Sequence, residues 1–344
     1  MRLKRTSLLF IAAAVAAPLF SIAVPVNADV KAAGEFKPED YGAVANDGKG
    51  DTEAINRTID AAGEAGGGTI VFGAGTYDID VIDFHGTAVA VNVTKPNISF
   101  ELTNSTVFKV VPTSAGEFCA IDVKGDNFRI SGGSIVGDRS NHKGSDGADG
   151  HGIGVRDCKN VQISNLTVSD NWGDGIYLGS VQSDGSYPGC SYVTVTNCVV
   201  KNNRRNNIAI VDADHVVIDG CNISGANGAS PQCGILIEPN TNQGNVPKKA
   251  VCSAIEIKNT TVKSKKAHQK NGQFFALNIL NPYYQSNNKV VAKNVKITKC
   301  TFKGDVGNYS GKSVTFNKCK IKGTFYDHKN TKLKKCTIKN NYKF

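Results

Sequence analysis

At 344 residues, with 36 glycines, aromatics at 8% and a single Trp, the chain suits many short strands and tight turns. It argues against a large globular enzyme core. The formal net charge of +10 is unevenly placed: from Thr241 onward there are 22 Lys, no Arg and three acids, a net of +19, so residues 1–240 carry 10 − 19 = −9. A basic half of this kind fits an anionic polymer such as a uronate glycan or a wall phosphate polymer. It equally fits outward lysines that keep strand edges soluble and unpaired. No nucleic-acid partner is expected.

Met1-Arg-Leu-Lys-Arg5 precedes an apolar run from Leu8 to Val24, and Val26-Asn-Ala28 supplies the small residues a signal peptidase reads. Residues 1–28 therefore read as a signal peptide, which predicts an exported or cell-surface chain. Pro18 and Pro25 interrupt the run, and nothing later is apolar enough to span a bilayer, so no membrane association is expected after cleavage.

Residues 29–90 form an N-terminal segment. Ile55, Ile59 and Ala62 recur at helical spacing, with Asp51 placed as N-cap, Glu53 in the first turn and Gly66 to Gly68 as the stop. A helix over Asp51–Ala65 ahead of a repeat array has a plain use, which is to cover the open end of the stack. The stretch from Asp40 to Tyr77, with Asp47-Gly-Lys-Gly-Asp-Thr52 and Gly66-Gly-Gly-Thr-Ile-Val-Phe72, resembles the N-terminal signature of the pectate-lyase-like right-handed parallel β-helix superfamily. That resemblance implies a pectin-lyase-like fold. It does not fix a reaction, since the group holds polygalacturonases, rhamnogalacturonases, epimerase modules and tailspikes.

From 91 to 344 the reading is one all-β domain, a single-stranded right-handed parallel β-helix. Val91–Val111 and Phe118–Val136 make its first coils. Four hexamers then share a template: Gly150-His-Gly-Ile-Gly-Val155, Gly173-Asp-Gly-Ile-Tyr-Leu178, Arg205-Asn-Asn-Ile-Ala-Ile210 and Gln232-Cys-Gly-Ile-Leu-Ile237. Period-two alternation makes these strands, and recurrence every 20 to 40 residues makes them coils of a solenoid. A second frame, apolar-x-apolar-x-x-Cys, places Cys198, Cys221, Cys300, Cys319 and Cys336 in one column with Leu166 and Thr260. Such a column reads as an interior ladder of free thiols rather than a disulfide framework. If any pair bonds, it is Cys198 with Cys221. No C-x-x-C pair is present to suggest a zinc ribbon.

Aligning the hexamers on their Ile puts His151, Asp174, Asn206 and Cys233 in one column. Arg205 stands one place earlier, Glu238 three places after its Ile, and Tyr177 and Leu236 point outward. Asn171-Trp-Gly-Asp174-Gly is close to a polygalacturonase motif, but Arg205-Asn206 and Gln232-Cys233 stand where its other acids and its His belong. No Arg-x-Lys follows. A standard inverting hydrolase is thereby disfavoured.

What remains is a polar cluster. Asp174, His151 and Glu238 are the catalytic candidates, and Arg204, Arg205, Trp172 and Tyr177 the substrate-binding ones. His151 and Asp174 are expected to pair, with Asp174 raising the His pKa. An arginine beside a base suits uronate binding and proton abstraction, the logic of a lyase or epimerase. An atypical glycoside hydrolase stands level with it, and a non-catalytic adhesin binding an anionic polymer is the alternative. No cofactor is expected. Asp146, Asp149 and Asp170 offer oxygen for a calcium ion without a complete ligand set. The chain is expected to be a monomer.

Overall fold

In a computed structural model, residues 34–84, 87–181, 188–239, 252–264, 274–281, 292–328 and 331–343 are described. The segment read as a signal peptide lies outside the described residues. Among the described residues no helix is long and apolar enough to cross a membrane.

The strands wind as a parallel solenoid with three strands to a coil. One coil runs through Lys159–Ser164, Thr167–Ser169 and Ile176–Gly179; the next through Cys190–Thr196, Val199–Lys201 and Ile208–Ile210. Each strand pairs in parallel with its counterpart one coil away, giving three ladders. The hexamers fall on the third ladder in the anticipated register, with Ile153, Ile176, Ile208 and Ile235 opposite one another and joined by Ile121 and Leu277. These side chains are fully buried, each contributing about 1.5–3 kcal/mol.

The stack begins earlier than Val91. Gly68–Phe72 already pairs with Ile98–Leu102, and Gly75–Ile79 with Thr106–Val110. An antiparallel hairpin, Ile82–Phe84 with Thr87–Val89, interrupts that first coil. The helix spans Thr52–Glu64 and buries Ala54, Ile55, Ile59 and Ala62 over the first coil. Asp51 occupies its N-cap position without capping it. Its carboxylate instead accepts the N–H groups of Val44 (2.8 Å) and Asp78 (2.9 Å), tying the entering chain to the first coil.

All ten cysteines are free, and nine are buried. The column holds as read: the backbone N–H that follows each member bonds to the carbonyl of the member one coil back, from Leu166 through Cys198, Cys221, Thr260, Cys300 and Cys319. A second thiol column passes unseen in the sequence. Cys190 lies opposite Ala213, and Ala213 opposite Cys252, with Cys158 buried one coil before.

The residue just before the first column takes a left-handed conformation in successive coils. Asn165, Asn197, Gly220 and Asn259 fill it early; Lys299, Lys318 and Lys335 fill it late, with φ of 54°, 53° and 49°. Asn and Gly tolerate that region, while other side chains cost about 1–2 kcal/mol there. Lys299→Asn and Lys318→Asn are each expected to stabilise the fold by about 1 kcal/mol, read as a higher denaturant midpoint.

Candidate functional site

His151 lies within Asp149–Arg156, while Asp174, Asn206 and Cys233 lie two residues ahead of the third-ladder strands that begin at Ile176, Ile208 and Ile235. Along this column side chains serve as acceptors for backbone donors. The Asp174 N–H donates to His151 Nδ1 (3.0 Å), the Asn206 N–H to Asp174 Oδ1 (2.8 Å) and the Cys233 N–H to Asn206 Oδ1 (2.9 Å). Each coil therefore supplies an acceptor for the same position one coil on. His, Asp and Asn all meet that need, which is why the column tolerates three residue types. Gly173 allows the approach, since a Cβ there would stand 2.6 Å from the Ala148 carbonyl and 2.8 Å from His151 Nδ1.

This arrangement changes the expected role of Asp174. Its side chain is 0% exposed; Oδ1 also accepts Asn206 Nδ2 (2.8 Å), and Oδ2 accepts Arg205 Nη1 (2.9 Å). A carboxylate so enclosed does not reach a substrate. It positions Arg205 and Asn206 instead. The anticipated His151–Asp174 ion pair also fails to form as a hydrogen bond: the carboxylate lies 3.8 Å from Nδ1, which already accepts the Asp174 N–H. Burial lowers the His151 pKa and outweighs the pull of Asp174 and Asp149. The result is a neutral imidazole whose proton sits on Nε2.

The groups left for chemistry surround Arg205, whose side chain is 20% exposed. Asp174, Asp149 and Glu238 all act on its charge, and Asp174 above all holds it cationic. Glu238 leaves the end of Ile235–Ile237 with its N–H bonded to Ile210 O (2.9 Å). Burial pushes its carboxyl from an ordinary 4.5 up to about 7, against the opposing effect of Arg205. Tyr177 stacks on His151 with ring centroids 4.9 Å apart, and burial raises its phenol pKa. Leu236 points away from the main core as expected, yet it is covered, packing with Cys233 and Phe275 in a separate apolar cluster.

Trp172 and Arg204, read as substrate-binding, pack against each other. The Trp172 ring stacks on His142 (3.9 Å) and lies 3.6 Å from the Arg204 guanidinium. Two groups at those distances cannot share one face, so each covers a face of the indole. The indole N–H donates to Asp146 O (3.3 Å), and Arg204 Nη1 to Gly147 O (2.9 Å). Together they pin the loop of residues 137–148. Asn171, the first residue of the polygalacturonase-like motif, is buried and bonds to Asn203 Oδ1 (2.8 Å) as part of a corner stack.

Asp146, Asp149 and Asp170 do not converge; among the described residues no group of three or more His, Cys, Asp or Glu is arranged to hold a metal ion. Asp149 belongs to the cluster instead, half-exposed with Oδ1 3.9 Å from His151 Nε2. Its closeness in sequence to His151 was the available signal. The pair of Arg156 Nε with Asp122 Oδ1 (2.7 Å) went unread, because 34 residues separate the partners.

The family model described as right handed beta helix region matches residues 47–246 and 140–275. An uncharacterized protein of Bacillus subtilis (strain 168), YclG, is 34% identical over 216 residues, covering 58% of this chain and 37% of that protein. The prophage-derived uncharacterized protein YorA of the same organism is 35% identical over 157 residues, covering 41% and 27%. The chain thus spans about a third of the length of these relatives. Among solved structures, ORF18 of Geobacillus virus E2 superposes with a TM-score of 0.57 at 12% identity, over 90% of this chain and 60% of that one. The mannuronan C-5 epimerase AlgE4 A-module of Azotobacter vinelandii gives 0.51 at 15%, over 90% and 99%. The surface protein and adhesin PfbA of Streptococcus pneumoniae gives 0.52 at 14%, over 90% and 97%. At these identities the likeness is one of fold.

Proposed function

This chain belongs to the family of right-handed β-helix regions, and on that footing we propose that it is an exported protein acting on an acidic, uronate-containing polysaccharide. The reaction class is proton transfer at the carbon beside the carboxylate, shared by polysaccharide lyases and epimerases. The observation that carries this reading is Glu238, a carboxyl whose pKa of about 7 lies in the charge field of Arg205. A base poised near the working pH is what proton abstraction requires. The fold shared with a mannuronan C-5 epimerase module lends the substrate class support.

In this scheme Arg205 receives the substrate carboxylate, and Glu238 takes the proton from the adjacent carbon. The charge that develops on the carboxylate is met by the Arg205 guanidinium and by the Nε2–H of neutral His151. Tyr177, protonated at neutral pH, is the proton donor. In a lyase the glycosidic C–O bond then breaks as the double bond forms. In an epimerase a proton returns to the opposite face. Hydrolysis by an Asp174–Glu238 pair is disfavoured, because the Asp174 oxygens are engaged and buried.

A second reading has its own observation. Lys299, Lys318 and Lys335 occupy one corner position in successive coils, a basic ridge suited to holding an anionic polymer without catalysis. The fold is shared by an adhesin.

Incubation in D2O with polymannuronate, polygalacturonate and neutral glycans separates these readings. Ultraviolet absorbance rising with reducing ends identifies a lyase, and deuterium uptake without cleavage an epimerase. Reducing ends without absorbance would overturn the proposal in favour of a hydrolase. Salt-sensitive retention with no chemistry would leave the adhesin.

A further inference from the structure

The thiol column ends in a group unlike the rest of it. Cys300, Cys319 and Cys336 follow one another in the last three coils, and the Thr337 N–H bonds to Cys319 O (2.9 Å), locking the final two together. Lys320 lies opposite Thr337 in the parallel register, so Cys319 and Cys336 face each other one strand spacing apart. That spacing, about 4.8 Å, lies inside the Cα separation a disulfide requires.

Access and environment single out the same pair. Of the ten cysteines only Cys336 is partly exposed. Lys318 and Lys320 flank Cys319 in sequence, and Lys334 and Lys335 precede Cys336. Partial exposure lets an external reagent reach Cys336; burial raises its pKa, so access and not acidity selects it. Cys198 and Cys221, by contrast, are both buried.

We propose that Cys319 and Cys336 form an oxidisable pair, closed to a disulfide by exchange with a low-molecular-weight disulfide and fastening the last coil to the one before it. The Cys336 thiolate, having released its proton to solvent, attacks the reagent disulfide. A mixed disulfide forms, and one small thiolate leaves and takes up a proton. Cys319 then attacks the Cys336 sulfur and expels the second small thiolate. Two protein thiols are oxidised and one external disulfide is reduced to two thiols, so atoms and electrons balance. The hydrogen bond from the Cys300 thiol, which persists when Cys336 is in the mixed disulfide, lowers the Cys319 pKa and favours the thiolate for the closing step. The pair lies on another ladder from the candidate site, so this inference stands independently of the proposed activity.

The test uses the full chain, reduced and then incubated natively with oxidised glutathione. Free thiols are blocked, and tryptic peptides are mapped without reduction. The expected product joins the Cys319-Lys320 and Cys336–Lys339 peptides, with two fewer titratable thiols and slower proteolysis of the last coil. Cys336→Ser should remain fully reduced, and Cys221→Ser should oxidise like the wild type. A stable glutathione adduct on Cys336 with Cys319 still free, a cross-link between chains, or no loss of thiol would each overturn the proposal.

Discussion

Glu238→Gln is expected to cut turnover on a uronate glycan by about 10²–10⁴-fold while making the fold more stable above neutral pH. The stability gain follows from the direction of the shift. The Glu238 carboxyl rises from 4.5 to about 7 on folding, so the folded state favours its protonated form. The stability from this group is fully present below about pH 4.5 and is lost as pH climbs through about 7. Gln has no charge to bury and escapes that loss. At about pH 8 the variant should gain on the order of 1–3 kcal/mol, discounted for partial exposure; below the unfolded pKa it should gain nothing. Denaturant midpoints at the two pH values measure this, and kcat/KM should rise with an inflection near 7 in the parent alone. A purely structural glutamate would move stability without moving turnover; full activity in the variant would end its candidacy as the base.

Asp174→Ala is expected to destabilise the chain by about 3–5 kcal/mol, far more than a turn residue would. It removes the counter-charge of Arg205 and strips two donors of Asn206 of their acceptor. Asp174→Asn keeps the shape and one acceptor but loses the ion pair, and should cost about 1–3 kcal/mol. Midpoints for Asp174→Ala, Arg205→Ala and the double variant close a cycle. A coupling above about 1 kcal/mol is expected for directly bonded partners. Near-zero coupling would show that Asp174 is not what holds Arg205.

The solenoid and its register were readable because apolar alternation with an Ile anchor repeats coil after coil. The same columns correctly stacked His151 over Asp174 and the thiols over one another. They did not reveal what each column does. Asp174 read as a catalytic acid because Asn171-Trp-Gly-Asp174-Gly is close to a polygalacturonase motif; only the folded chain shows Oδ1 accepting the Asn206 N–H and Oδ2 the Arg205 guanidinium from the next coil. Trp172 looked like a sugar platform because it is the only Trp beside the cluster. His142, which covers one of its faces, is 30 residues earlier on a loop outside the repeats. Asp51 was placed at the correct position, but nothing local signals that its carboxylate turns away from the helix toward Val44 and Asp78.

In the three ladders each coil is bonded to the coil before it and the coil after it. At one end the helix Thr52–Glu64 covers the stack. Because neighbours hold each coil, an opening in one part of the array need not spread to all of it, and amide protons of different coils exchange on separate clocks. A substitution in the third-ladder cluster is accordingly felt first in the coils that carry it and in their immediate neighbours.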